Sequence, residues 1–393
     1  GRDYIIPKPF DPRLIAEVPP AVAKAAMESG VAKEPIENWT KYKDELLERL
    51  GSDNKIVRLL LNRAKINPKR VVFAEADHLD VLKAAQIVHD EGIAIPILLG
   101  RRDAIEKLKE EIEFDADVEI IDPKSDEEEA RKNTYAKVYW NQRNRRGVTL
   151  YSAQKIMRER NYFAAMMVQL GDADAMISGF SRSYPSVVKP VLELIGLAPD
   201  STRVATTNVM MTKRGPMFLS DTAININPSA EDLTKIAQMT AGVVKMFGME
   251  PVMAMISYSN FGSSKNQTAI KVREAVNYLH KRHPNLLVDG ELQADFALNR
   301  EMLQDTFPFS KLAGKKVNTL IFPNLESANI TYKLMKELNN SDSIGPMMGL
   351  RKPVHILQLD ASVDEIVNMT AIAVIDAQQK EKKELENKAA VEK

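Results

Sequence analysis

The sequence contains no cysteine, which excludes disulfide bonds, thiolate nucleophiles and zinc sites built on cysteine. It also lacks an excess of either charge, because 54 Lys and Arg residues balance 54 Asp and Glu residues. A chain without net charge has no overall field to attract nucleic acid or an anionic membrane, so neither is an expected partner. No apolar run approaches the roughly 20 residues of a membrane span, and the first residues lack the pattern of a signal peptide. We therefore expect a cytoplasmic protein.

Several signatures of catalysis and nucleotide binding are missing as well. The sequence has no GxxxxGK(S/T) or GxGxxG phosphate loop, no GxSxG nucleophile elbow and no HExxH zinc motif. Its histidines are dispersed, at His78, His89, His280, His283 and His355. No metal site is therefore expected, and any anion must be bound by a local cluster of residues.

What the chain does contain is a long alternation of apolar runs and amphipathic helical patterns. Its 393 residues exceed the size of one compact core. Apolar runs bounded by Gly, Pro or Asn alternate with helical patterns, which predicts an α/β fold with largely parallel sheets. The predicted strands are residues 71–74, 95–99, 118–121, 173–177, 204–211, 217–219, 252–258, 286–288, 319–322 and 353–359.

Two of these strands end abruptly in polar residues, at 289–293 and 323–329. Ligands of open α/β sheets lie beyond the carboxyl ends of the strands, so the two polar segments suggest one wall of a cleft. Asn324 and Asn329 are the polar candidates in the second segment. The alternative is an ordinary strand-to-helix loop in which Asn324 and Ser327 cap a helix. Both interpretations stay open on the pattern alone.

Two further loops have the composition of anion sites. Ser178 to Tyr184 follows a predicted strand and contains Arg182 and Ser183, with Lys189 two helical turns further on. Amide groups at a helix start and a guanidinium would converge on an anion there, unless Arg182 is simply an exposed residue on a capped helix. The second loop, residues 257–265, has hydroxyls and a glycine suited to a phosphate, at Ser259, Gly262 and Ser263.

Two more clusters carry polar side chains that could contact a ligand. Asn225 and Asn227 alternate with isoleucines after Asp221, so both amides would face one way if this segment is extended. They would then contact a ligand or tie the loop together. Arg143 lies in a basic cluster just before Gly147, where it could bind phosphate, complement a helix dipole or face solvent.

Taken in order, these motifs resemble those of the phosphate acetyltransferase (phosphotransacetylase) family from about residue 53 to residue 378. The matching stretches are RRGVT, NYFAAMMVQLGDADAMISG, SDTAININPSAEDL, AMISYSNFGSS, DGELQADFAL, LIFPNLESANITYK, IGPMMGL and SVDEIVNMTAIAVIDAQ. Residues 1–35 resemble instead the end of the catalytic region of bacterial NADP-dependent malic enzymes. Those enzymes carry a phosphotransacetylase-like domain at their C-terminus.

The resemblance implies two α/β subdomains with largely parallel sheets and a cleft between them. It also implies assembly as a homodimer or a higher homo-oligomer. The implied organisation is a malic enzyme tail at 1–35, a linker helix at 36–52, a first subdomain at 53–153 plus 346–380, a second at 154–345 and a charged tail at 381–393.

The chain departs from the active family where acyl transfer takes place. The family's Ser-Arg-Gly-Cys-Ser run corresponds to residues 358–362, so its Ser and Arg are replaced by Gln358 and Leu359. A second family Arg corresponds to Asp80, whereas the carboxylate of the last helix is kept as Glu365. Losing one electrostatic stabiliser costs roughly 3 to 4 kcal/mol in the transition state. No catalytic residue is therefore expected in this domain.

The resemblance thus implies a degenerate acetyltransferase fold that binds acetyl-CoA as an allosteric, inhibitory effector of a fused malic enzyme domain. NADP and a divalent metal, Mg or Mn, are expected only in that other domain. The expected acetyl-CoA-binding residues are Arg143, Ser178, Arg182, Ser183, Lys189, Asn225, Asn227, Ser259, Gly262, Ser263, Asn324, Asn329 and Gln358. The alternatives are an active phosphate acetyltransferase and an assembly domain without a ligand.

Overall fold

The computed structural model describes residues 12–39, 42, 46, 52–212, 214–339, 343–359 and 361–391. The start of the expected malic enzyme tail and most of the expected linker helix lie outside these residues. Within the described ranges, no helix combines the length and the apolar character needed to cross a membrane. The described strands are β1 (Arg70–Phe73), β2 (Ile95–Leu99), β3 (Glu119–Ile121), β4 (Ala175–Ser178), β5 (Ala205–Thr212), β6 (Gly215–Ser220), β7 (Val252–Ile256), β8 (Leu287–Leu292), β9 (Thr319–Ile321), β10 (Ser343–Ile344), β11 (Met347–Met348) and β12 (Val354–Ile356).

Helices separate most of these strands, as the alternating pattern predicts. They are α1 (Pro12–Glu28), α2 (Ser52–Lys65), α3 (Leu79–Asp90), α4 (Arg102–Glu111), α5 (Glu129–Arg143), α6 (Leu150–Ile156), α7 (Arg160–Leu170), α8 (Tyr184–Leu194), α9 (Ala230–Met246), α10 (Gln267–Arg282), α11 (Ala294–Leu298), α12 (Arg300–Thr306), α13 (Leu325–Asn339) and α14 (Val363–Val391). The expected α/β fold is confirmed.

The first sheet is fully parallel, with the strand order β12-β4-β1-β2-β3. Its central strands are apolar on both faces; Val71, Val72 and Phe73 of β1 are all fully buried. This pattern is typical of a parallel sheet covered by helices on both sides. The carboxyl ends of its strands therefore share one edge.

The second sheet is mixed, with the order β10-β5-β6-β9-β7-β8 and β11 paired to β5. Strands β6, β9, β7 and β8 are parallel, whereas β5 forms an antiparallel hairpin with β6. The parallel part again places polar segments at one edge: the segments after residues 220, 256, 292 and 321.

The division between the sheets differs from the expected boundary after residue 153. Strand β4 belongs to the first sheet, because Val71 to Phe73 pair with Ala175 to Ile177 and β12 pairs on its other side. Residues up to β4 therefore contribute to the first sheet, although residues 154–345 were assigned to the second subdomain. Sequence distance does not reveal which sheet a strand joins; its hydrogen-bonded neighbours decide that.

The long helix α14 holds the two units together. Its residues 371–375 are almost completely buried and belong to an apolar cluster that includes Phe73 of the first sheet and Phe218 of the second. The residues from 381 to 391, expected as a charged tail, continue this helix, and the side chains from 381 to 389 are exposed.

Candidate functional site

Backbone amides after β4 form an anion nest, and the anion in it is the chain's own Glu75. Its carboxylate accepts the N–H groups of Gly179 and Phe180, both at 2.7 Å, and that of Ser181 at 3.1 Å. The Ser181 hydroxyl donates at 2.6 Å. Glu75 is only 1% exposed, so this nest is closed to any other anion.

This nest lies where a doubly wound sheet normally binds its ligand. The chain winds outward from β1 to β2 and β3 and then returns to place β4 on the opposite side of β1. The crevice between β1 and β4 is therefore the topological switch point. Gly179 follows β4 with a φ of 102°, and a Cβ there would lie 2.7 Å from the Ile356 side chain, so only glycine fits.

A second nest, in the loop of residues 257–265, is filled in the same way. Glu291 is fully buried and accepts hydrogen bonds from the Ser259 hydroxyl at 2.9 Å and the Gly262 N–H at 2.8 Å. Arg273 donates to both of its oxygens, at 2.7 and 3.0 Å. Burial opposes ionisation of Glu291, but Arg273 and the loop donors outweigh it and lower its pKa. Ser263 bonds within the loop to Ser259.

The segment after β6 is bent, so the expectation that Asn225 and Asn227 face one way is wrong. Asn225 is buried: it accepts a hydrogen bond from Arg203 at 2.7 Å and donates to the Val204 carbonyl at 2.9 Å. Asn227 is exposed and accepts from Lys271 at 2.8 Å. The two amides point apart because each is held by a different neighbour.

The polar residues after β9 also have local partners. Asn324 accepts the Ser327 N–H at 2.9 Å at the start of α13, which is the capping arrangement. Asn329 donates to the Thr222 carbonyl at 3.0 Å and so ties α13 to the segment after β6. Ser178 is buried and donates to Asn161 at 2.7 Å.

Arg143 and Arg182 lie at opposite ends of α8. Arg143 donates to Glu193 in the last turn of this helix at 3.2 Å, and Glu193 also accepts from the hydroxyls of Tyr139 and Tyr162. Arg182 precedes the first turn. Eleven helical residues span about 16 Å, so the two guanidinium groups are too far apart to hold one phosphate.

Arg182 instead joins a cavity of about 430 Å³ that we call the basic pocket. The pocket lies at the carboxyl edge of the first sheet, where Gly100 follows β2 and Asp122 follows β3. Its charged lining residues are Arg101, Lys124, Lys155, Arg158, Arg160 and Arg182, against Asp122 and Glu159. Six cations against two carboxylates make this a positively charged site.

Four of these cations are free to contact a ligand. Arg160 is held by Asp77 through hydrogen bonds of 2.7 and 3.1 Å, and Arg101 lies 3.9 Å from the same carboxylate. The other four are exposed, and their side chains make no hydrogen bond or ion pair with any described residue: Lys124, Lys155, Arg158 and Arg182. Burial raises the pKa of the Glu159 carboxyl, against the lowering effect of its backbone hydrogen bonds and of Arg182 and Arg160.

The next residues are those at the positions where the active family has its catalytic groups. Leu359 is 60% exposed directly after β12, Gln358 beside it is half-buried, and Asp80 is exposed in the first turn of α3. Glu365 is buried and accepts from Lys336 at 2.8 Å and from the backbone of Ser343 at 3.0 Å. Its role in this structure is to join α14 to α13 and β10.

The remaining expected residues are both exposed: Ser183 precedes the first residue of α8, and Lys189 lies in the second turn of that helix. The sequence reasoning missed Lys124, Lys155 and Arg158, because single basic residues scattered over 35 positions give no local signal. In the part of the chain that the structure describes, no cluster of His, Asp and Glu has the arrangement of a metal site.

Comparisons with known proteins agree with this fold. A family profile described as "Phosphate acetyl/butaryl transferase" matches residues 55–374. The chain is 39% identical over 385 residues to an NADP-dependent malic enzyme from Haemophilus influenzae, covering 96% of this chain and 50% of that protein. It is 35% identical over 331 residues to a phosphate acetyltransferase from Thermoanaerobacterium thermosaccharolyticum, covering 82% of this chain and 99% of that protein. A phosphotransacetylase structure from Streptococcus pyogenes superposes with a TM-score of 0.76 at 33% identity, covering 84% of this chain and 100% of the other.

Proposed function

Because the chain belongs to the phosphate acetyl/butaryl transferase family, we propose that it is a regulatory domain that binds acetyl-CoA without transferring the acetyl group. The chain spans about half the length of the malic enzymes that it matches. The regulated activity is then the NADP-dependent oxidative decarboxylation of malate to pyruvate by a fused malic enzyme domain, with acetyl-CoA as an inhibitor.

The basic pocket is the observation that carries this proposal. Coenzyme A has a diphosphate and a ribose phosphate, and these groups need several cations to replace their hydration. Arg182, Lys124, Lys155 and Arg158 offer four uncommitted cations around one cavity of about 430 Å³. A cavity of this size at the carboxyl edge of a parallel sheet suits part of a nucleotide.

The loss of acetyl transfer is supported by the loop after β12. Gln358 and Leu359 supply neither the hydroxyl nor the guanidinium of the active family, and Asp80 adds a negative charge. The two anion nests cannot replace them, because Glu75 and Glu291 occupy the nests. Neither nest is therefore free to hold the transferred phosphate.

Regulation requires that acetyl-CoA prefers one of two arrangements of the protein. A homodimer would transmit such a preference, and α13 offers a surface for it. Ile330, Leu334 and Leu338 recur every four residues on this helix and are 65%, 56% and 77% exposed. An apolar stripe of this kind favours an interface with a second copy. Sedimentation of a monomer at micromolar concentration would contradict this part of the proposal.

The direct test is calorimetric titration of acetyl-CoA into the wild type, Arg182→Glu and Arg300→Glu. Arg300 is a matched control, since it is exposed on α12 and makes no bond with a described residue. We expect Arg182→Glu to weaken binding at least about tenfold, which is about 1.4 kcal/mol, and Arg300→Glu to leave it unchanged.

Each contradictory result has its own meaning. Equal affinity of the wild type and Arg182→Glu for acetyl-CoA would show that the basic pocket is not the binding site. No heat of binding with the wild type would show that acetyl-CoA is not a ligand and would favour a pure assembly domain. Rapid formation of acetyl-CoA from acetyl phosphate and coenzyme A would contradict the loss of catalysis.

A further inference from the structure

A second cavity, distinct from the basic pocket, lies around the buried His355. It has a volume of about 380 Å³ and is enclosed by residues 198–202, α9, residues 346–350, β12 and α14. We call it the His355 pocket. It shares no lining residue with the basic pocket, so the two cavities are separate sites.

His355 presents an unpaired polar atom to this cavity. Its side chain is almost fully buried, and its Nδ1 accepts the Met347 N–H at 3.1 Å. A neutral imidazole that accepts at Nδ1 carries its proton on Nε2. That Nε2 has no hydrogen-bond partner, although buried polar groups are almost always paired.

A carboxylate lies close to this donor without bonding to it. Asp376 Oδ2 is 3.6 Å from His355 Nε2, too long for a hydrogen bond, and it accepts from Lys380 at 2.7 Å. Burial opposes ionisation of Asp376, but the charge of Lys380 outweighs it and lowers its pKa to about 2. An oxygen that accepts from Nε2 and donates to Asp376 would satisfy both groups, and a hydroxyl does this.

The lining of the cavity also carries positive charge. The side chains of Lys235 and Lys383 line it and make no hydrogen bond or ion pair with any described residue, whereas Asp200 is the remaining carboxylate. With Asp376 and Lys380 paired, the lining has one net positive charge. Methionines 239, 246, 347 and 348 form the apolar part of the wall.

Gly242 keeps one wall of the cavity open. It lies inside α9, where glycine costs about 0.5 to 1 kcal/mol relative to alanine. A Cβ at this position would meet no heavy atom within 4 Å, so no neighbour in the described chain requires the glycine. Because Gly242 lines the cavity, a larger side chain at this position would reduce its volume.

We propose that the His355 pocket binds a small organic anion that carries a hydroxyl group. The hydroxyl bridges His355 and Asp376, the anionic group lies between Lys235 and Lys383, and the carbon skeleton contacts the methionines. The volume of about 380 Å³ has room for such a molecule. The anionic group is a carboxylate or a phosphate, which have the same interactions with lysine.

The chain has five histidines, which makes a direct spectroscopic test practical. Untagged protein with ¹³C-labelled histidine Cε1 gives five resonances, and His355→Gln identifies the one of interest. Lactate and glycerol phosphate are the two probes, each titrated to millimolar concentration. We expect at least one to shift the His355 resonance in a saturable way while the other four histidines stay in place. The probe that acts identifies carboxylate or phosphate.

Two variants separate binding in the cavity from a general effect of the anion. Gly242→Leu places a larger side chain in the wall of the cavity and should abolish the shift of the His355 resonance. The midpoint of thermal unfolding should stay equal or rise. Ala130→Leu places the same side chain on an exposed position of α5 and should leave the shift intact. The proposal is overturned if neither probe moves the His355 resonance, or if Gly242→Leu responds as the wild type does.

Discussion

The carboxylate of Glu75 accepts the backbone N–H of Gly179 at 2.7 Å, in the crevice between β1 and β4. This crevice is where an open α/β sheet usually binds a phosphate or another anion. A buried carboxylate inside it satisfies the amides of the loop and excludes an outside anion. Four uncommitted cations lie around the basic pocket instead.

The substitution Glu75→Gln should destabilise the protein by about 2 kcal/mol. Glutamine keeps one acceptor oxygen, so it can serve the N–H groups of Gly179 and Phe180 but leaves the Ser181 N–H unpaired. Urea denaturation at neutral pH measures the free energy of unfolding. Glu110→Gln is the control, because Glu110 is exposed at the end of α4. Equal stability of both variants would show that the nest does not need the charge.

The substitution Arg143→Leu should lower stability without changing acetyl-CoA affinity. Arg143 and Glu193 are both mostly buried, with side-chain exposures of 19% and 17%. Glu193 keeps its bonds to two tyrosines but loses its cation, at a cost of about 2 kcal/mol. Denaturation and calorimetry of the same preparation measure both quantities. A tenfold loss of affinity would instead return Arg143 to the acetyl-CoA site.

The stabilising effect of Asp376 should disappear at acidic pH. The pKa of Asp376 is about 2 in the folded protein, below the usual 3.8 of the unfolded chain. Its contribution to the free energy of unfolding is therefore complete above pH 3.8 and is lost as the pH falls toward 2. The contribution is about 2 kcal/mol, of which about half should be gone at pH 3. The difference in unfolding free energy between wild type and Asp376→Asn, followed from pH 6 to pH 3, measures this. A constant difference would contradict the depressed pKa.

Local pattern was sufficient for the elements of the fold. Apolar runs identified the strands except the two-residue strands β10 and β11, the alternation with helices identified the α/β class, and the motifs identified the family. Asn324 as a helix cap was one of two open interpretations, and its bond to Ser327 has the capping geometry. These features depend on residues within a few positions of each other, where spacing along the chain sets the geometry.

Pairing between distant residues decided the rest. Glu75 and Gly179 are 104 positions apart. The loop at Gly179 has the sequence of a phosphate site, and only the pairing of β4 with β1 shows that Glu75 fills it. Tertiary structure likewise brings Glu291 into the second nest and the four cations together around the basic pocket.

The sequence by itself therefore determined which segments are strands, helices and polar loops, and which family they belong to. The tertiary structure decided which loops are already filled by a carboxylate, which arginine is free, and that His355 faces a cavity. The physical reason is that hydrophobic periodicity and capping are local, whereas occupancy of a site depends on side chains brought together by strand order.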